Sequence, residues 1–273
     1  MQSWVIARTT PAFRVALMAA ISAAAAGAVF LLPPIPQDPS YHNFADQRRL
    51  AGIANALDVL SNIPFALVGG MGLLFVCNAR KALAGHRELL PYAAFFLGVL
   101  LTGAGSAFYH LAPDSGRLVW DRLPMALAFT ALLAAVLTER VSLRAGPWLL
   151  APLALLGMGS VAYWHWTELL GRGDLRPYIL VQYYSLLALA MTLVLFPPRY
   201  SRAPGFAVAL FLYGLAKVFE LLDAPIYNLA GLASGHTLKH LTAAAAVYVL
   251  LHMLQRRKIL ADANLHKERG SEP

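Results

Sequence analysis

Apolar residues run through this chain in long, nearly unbroken blocks, and the polar residues collect at the joints between them. Crossing a hydrocarbon core of about 30 Å takes roughly 20 helical residues. Eight blocks reach that length: Phe13 to Leu32, Ala56 to Val76, Pro91 to Leu111, Val119 to Thr138, Pro147 to Trp166, Pro177 to Phe196, Gly205 to Leu222 and His236 to Leu254. Lipid offers no hydrogen bonds, so such segments must satisfy their backbones internally, as helices. The pattern predicts an all-α membrane protein, a seven-helix transmembrane bundle with one additional N-terminal transmembrane helix. The expected division is 1–32 for a cytoplasmic N-terminal segment with the extra helix, 33–255 for the seven-helix domain, and 256–273 for a polar cytoplasmic tail.

Composition agrees with that picture. Of 273 residues, 59% are hydrophobic and 13% charged, against about a quarter charged in soluble domains. The net charge of +8 does not point to nucleic acid, because the cations sit at span ends with no aromatic-interleaved patch. Arg8, Arg14, Arg80, Lys81, Arg87, Arg140, Arg144, Arg199, Arg202, Arg256, Arg257 and Lys258 fall on one side of the predicted spans. Arg48, Arg49, Arg117, Arg172 and Arg176 fall on the other. The positive-inside rule then makes both termini cytoplasmic and puts Trp120, Trp164 and Trp166 in an outer aromatic belt. The first span reads either as a cleaved signal peptide or as an uncleaved anchor, and its length favours the anchor. Cys77 is the only cysteine, which excludes a disulfide within the chain and a thiolate cluster.

With that topology, chemistry-bearing residues from three spans reach one depth near the outer face. Ser106 and His110 end the third span, Asp121 begins the fourth in its first turn, and His236 and His240 begin the eighth. An i, i+4 pair projects from one helix face, about 6 Å apart along the axis. Ionisable groups at such depth are costly unless paired, hydrated or metal-bound. Three imidazoles with a fourth position left for water form the ligand pattern of catalytic zinc, which lowers the pKa of its water to about 7. Asp121 is then the candidate proton carrier and Ser106 a candidate oxyanion donor, unless Ser106 serves only close helix packing in Gly-Ala-Gly-Ser. His42, His86 and His165 read as interfacial, and His252 lies about 18 Å along the helix from His240. Lys217 and Glu220 read as a structural i, i+3 pair, and Lys239 as pointing away from the histidines and snorkelling toward headgroups. Asp58, Ser61 and Asn62 either lock helices or orient a histidine.

These residues resemble the alkaline ceramidase family, within the seven-span membrane hydrolases that include the adiponectin-type receptors. The motifs are Ser61-Asn62, Ser106-x-x-x-His110, Asp121-x-Leu-Pro-Met125 and His236-x-x-x-His240, spread over most of the chain from about Tyr41. The resemblance implies zinc on His110, His236 and His240, with Asp121 activating water, Ser106 polarising a carbonyl, and hydrolysis of the ceramide amide. The extra first span departs from the family's usual seven. The family's acidic calcium-binding N-terminal segment is poorly matched: only Asp46, Asn55 and Asp58 offer oxygens, while calcium takes six to eight. The Ala- and Arg-rich, Lys-poor composition points to a bacterial plasma membrane, and so to ceramide or a related lipid amide as substrate. Rival readings are a metal- or proton-translocating protein and a receptor-like lipid sensor on the same scaffold.

Overall fold

The computed structural model describes residues 9–79 and 86–260. Arg8, Arg80 and Lys81, which entered the topology expectation, lie outside them, as does 261–273. Ten α-helices make up the described chain: α1 (Pro11–Leu31), α2 (Ala56–Leu60), α3 (Ile63–Asn78), α4 (His86–Leu111), α5 (Ser115–Arg140), α6 (Ala145–Leu169), α7 (Arg176–Leu195), α8 (Pro204–Leu221), α9 (Asp223–Ala230) and α10 (Gly235–Arg256). No β-strand occurs among the described residues, only two isolated bridges. Eight membrane-length apolar spans are present, with α2 and α3 together forming one of them. The chain is an all-α integral membrane bundle.

Three elements differ from the sequence expectation, each for a local reason. The second span breaks between Leu60 and Ile63, where Pro64 opens a new first turn. A proline there lacks the N–H that would continue the ladder. At the break Asn62 N turns to the Val59 carbonyl at 3.2 Å, and the Asp58 carbonyl accepts from side chains, Asn62 Nδ2 at 2.7 Å and Ser61 Oγ at 3.1 Å. Helix α5 starts at Ser115, capped by Asp114, which accepts from Arg117 N at 2.8 Å. That start places Asp121 in the second turn rather than the first. The short helix α9, not foreseen, bridges α8 and α10.

The helices form an open ring. Helix α4 packs along α3 and α5, α5 along α6 and α7, and α10 along α8 and α3, while α1 leans mainly on α7. Helix α8 lies mainly on α10, and between α7 and α8 runs a cavity rather than an extended contact. Gly103 and Gly105 allow α4 its close neighbours. A Cβ on Gly105 would stand 2.0 Å from the Trp120 carbonyl oxygen of α5, and one on Gly103 2.7 Å from Ala66 N of α3.

Each end of the bundle carries a polar closure. At one end Arg257 pairs with Glu139, which also accepts from Tyr92. Residues 258–260 then return along the α7–α8 loop, Ser201 N donating to the Lys258 carbonyl at 2.8 Å and Leu260 N to that of Arg199 at 2.9 Å. The expected free polar tail therefore begins with a tethered segment. At the other end, residues 32–55 lie across α5, α6, α7 and α9. There Leu175 N donates to Ile35 O at 2.8 Å, Gln37 N to Glu168 at 2.6 Å, and Arg48 to the Gly231 and Leu232 carbonyls. Trp164, expected in an interfacial belt, is fully buried there, its indole donating to Glu168 at 3.0 Å. Trp120 and Trp166 are more than half exposed.

Candidate metal centre

The end of α4 and the start of α10 meet beneath the 32–55 segment, and their helix caps fix where the imidazoles point. Ser234 caps α10 by accepting from Thr237 N at 3.1 Å. Asp223 takes the next free amide, His236 N, at 2.7 Å and holds Ala45 N with its other oxygen at 2.9 Å. Asn55 donates to the carbonyl of His110 at 2.8 Å, tying off the last turn of α4. These bonds use donors and acceptors that helix ends leave open.

His110, His236 and His240 are all buried, and one ring nitrogen from each lies within 4.8 Å of the others. Nε2 of His110 and Nε2 of His236 are 3.3 Å apart. A tetrahedral zinc site with Zn–N bonds of about 2.05 Å has ligand nitrogens roughly 3.3 Å apart. Nδ1 of His240 is 2.8 Å from Ser61 Oγ, which leaves its Nε2 as the ligand nitrogen. A hydroxyl fixing the ring in this way is the usual outer support of a metal-bound histidine. Phe44 packs on His110 and His236 with ring centroids 4.6 and 4.5 Å away, closing the cluster from outside. Three buried imidazole nitrogens facing one another fit a divalent metal of borderline softness.

No family model matches the chain, and no curated protein matches it.

His240 opens onto a cavity of about 280 Å³ that Ser106 and Asp121 also line. Ser106 of α4 and Asp121 of α5 face that cavity from neighbouring helices. The packing role foreseen for the small residues falls to Gly103 and Gly105, which leaves Ser106 facing the cavity. All five expected site residues thus gather at one end of the bundle.

Several polar residues read as peripheral belong here too. Lys239 does not turn away: its Nζ is 3.0 Å from His236 Nε2 and 3.0 Å from Glu220 Oε1. A metal on His236 would leave that ammonium to Glu220. Lys217 also pairs with Glu220, so the foreseen i, i+3 pair is half of a Lys–Glu–Lys cluster in the cavity wall. Arg122 lines the same wall. Its motif position was visible, but nothing in the spacing marked it. Asp58, read with Ser61 and Asn62 as a lock or a support, accepts from Thr237 Oγ1 at 2.7 Å and so joins α2 to α10. His42 sits between the Tyr109 hydroxyl at 2.8 Å and Ser115 Oγ at 3.2 Å, away from the metal candidates. Burial lowers its pKa, and a neutral ring suits those two hydroxyl partners.

The three oxygens weighed for calcium go separate ways. Asp46 is gripped by Arg48 at 2.7 Å, Asn55 serves the His110 carbonyl, and Asp58 serves Thr237.

Proposed function

We propose that this protein is a zinc-dependent membrane hydrolase that cleaves the amide of ceramide or a related lipid amide, as the likeness to alkaline ceramidases implies. One observation carries the reading: three buried imidazoles at metal-ligand spacing open, through His240, onto a cavity whose far wall is wholly apolar. Along α10 that wall runs from His240 through Ala243, Ala246 and Val247 to Leu250, a rise of about 15 Å. Phe95, Val99, Leu132, Leu189, Phe206 and Leu210 face it from other helices. A slot of that length and polarity suits an acyl chain, with the amide at the polar end. The seam between α7 and α8 offers such a chain sideways entry from the bilayer, which an insoluble substrate needs.

Hydrolysis adds water across the C–N bond: oxygen bonds to the carbonyl carbon, the amine leaves with a proton, and a fatty acid remains. Zinc, when bound, supplies Lewis acidity toward the carbonyl and the water. Asp121 accepts the proton of the attacking water on its carboxylate and returns it to the leaving nitrogen. Ser106, beside it, donates its hydroxyl to the carbonyl oxygen as charge builds there. Phe44, packed on His110 and His236, shields the centre from other water. The charge pattern of the loops favours cytoplasmic termini and a centre at the outer face of a bacterial plasma membrane.

Metal analysis and turnover test the reading together. Purified chain is expected to hold about one zinc per molecule and to release fatty acid from a lipid amide. Absence of stoichiometric zinc, or a His236→Ala variant with undiminished metal and activity, would refute it. Proton or zinc flux in proteoliposomes, abolished by His110→Ala, would favour the transporter instead. The apolar character of the cavity beyond His240 argues against such a path.

A further inference from the structure

Arg122 is the least explained charge in the molecule. It is 6% exposed, and burying a guanidinium costs several kcal/mol unless its donors are used. Its plane is gripped by aromatic rings: the guanidinium carbon lies 4.3 Å from the Trp164 ring, 4.9 Å from Tyr178 and 5.4 Å from Tyr41. One nitrogen, Nη2, donates to Gln37 Oε1 at 2.7 Å. The other, Nη1, is buried with no hydrogen-bond partner among the described residues. Arg122 lines the cavity next to Asp121, and Tyr41 and Tyr178 line it too. Held in place from several sides with one donor edge unspent, it has the form of a recognition group, not of a solubilising one.

The surrounding charge points the same way. Among the described residues, the charged groups lining the cavity are Arg122, Lys217 and Lys239 against Asp121 and Glu220, one positive charge in excess before any metal is added. Both lysines share the single acid Glu220, so the excess stays with that cluster and leaves the rim beside Arg122 and Asp121 without an acid to spare. Geometry assigns the substrate's parts. If the acyl chain fills the apolar slot below His240 and the amide lies at the histidines, the amine half must extend along the polar rim that Arg122 shares.

We propose that Arg122 binds an acid group, carboxylate or phosphate, on the amine half of the substrate, so that this chain takes acidic lipid amides over neutral ones. The inference rests on the hydrolase reading for its substrate frame, but it can be tested by binding alone. The probes are N-palmitoylglycine, N-palmitoylethanolamine phosphate and neutral N-palmitoylethanolamine, offered to the full chain in detergent after zinc is stripped. Binding is followed by tryptophan fluorescence, since Trp164 lies against the guanidinium. Both acids, or one of them, are expected to bind at least about tenfold more tightly than the neutral amide, as a charge-assisted hydrogen bond gives. A response to glycine and phosphate alike means a general acid site, and a response to one alone names the headgroup. Arg122→Gln should erase the preference without weakening the neutral amide, and Arg122→Lys should keep part of it.

Equal binding of all three probes by wild type would overturn the inference, even if neither variant folds. So would an Arg122→Gln protein that loses affinity for all three alike, because a purely structural role predicts that uniform loss. Turnover by the zinc-loaded chain then separates the two readings. Selective binding without any hydrolysis sinks the enzyme and leaves the acid site standing. Equal hydrolysis of acidic and neutral amides sinks the acid site and leaves the enzyme.

Discussion

At the scale of single residues, the site divides into groups that hold and groups that move protons, and substitution should separate them. His110→Ala, His236→Ala and His240→Ala are each expected to cut zinc content from about one per chain to near zero, measured by elemental analysis. Asp121→Asn keeps the ligands, so it should retain the metal while turnover falls by about 10²- to 10⁴-fold, the span for loss of an acid–base group. Ser61→Ala removes the hydroxyl 2.8 Å from His240 Nδ1. It should weaken zinc by about 10- to 100-fold in a competition titration and leave the fold intact. The histidine trio was legible in the chain because i, i+4 spacing fixes a helix face and the charge pattern fixes depth. Arg122 and Lys239 were not. Each neighbours a site residue in sequence, about 100° away around its helix, and only the curvature of the cavity wall and the reach of a long side chain bring them in.

At the scale of helices, the centre depends on how closely α4 and α5 approach. Gly105 faces the Trp120 carbonyl of α5 one residue before Ser106, and a Cβ there would meet backbone, which cannot swing aside. Gly105→Ala is expected to cost about 1–3 kcal/mol, the range for overpacking, read as a lower melting temperature in detergent. Gly159→Ala, with nothing within 4 Å of its Cβ, should be neutral or slightly stabilising. Helix existence was readable from run length alone, and all eight spans stand. The break at Ser61 and Asn62 was missed although its cause, Pro64, stood in plain view. A run of apolar residues hides it, because proline changes backbone hydrogen bonding and not hydropathy. That break turns Ser61 toward His240, so the one irregular span is also the one that supports the metal.

For the whole molecule, two predictions test the lid and the slot. Residues 32–55 are fastened partly through Asp46, whose pKa lies below its ordinary value of 3.8, first because Arg48 donates hydrogen bonds to it. A depressed carboxyl contributes stability that is complete above the unfolded pKa and disappears as pH falls through the lower, folded one. Asp46→Asn should therefore melt at a lower temperature than wild type near neutral pH, and the gap should close only in strong acid. Filling the apolar slot by Ala246→Phe should shift preference toward shorter acyl chains, read by competing amides of different length.

Helix α8 is fixed at both ends: at the histidine end a Cβ on Gly235 of α10 would stand 2.2 Å from the Phe219 carbonyl oxygen, and Glu220 pairs with Lys239. Near its start, the loop before it is sewn to residues 258–260, and Gly205 sits against Met253 of α10. Along its length, its ties to α7 and α5 include the Gln182–Tyr213 hydrogen bond at 2.8 Å, the Lys217 ammonium over the Tyr183 ring and the edge of Tyr213 against Phe129. A helix held at both ends and touching α7 through few side chains parts from it sideways, so admitting a lipid there would break the Gln182–Tyr213 hydrogen bond while Glu220 keeps both lysines. Spin labels on α7 and α8 should record that parting as a distance that widens at mid-helix and stays constant at both ends.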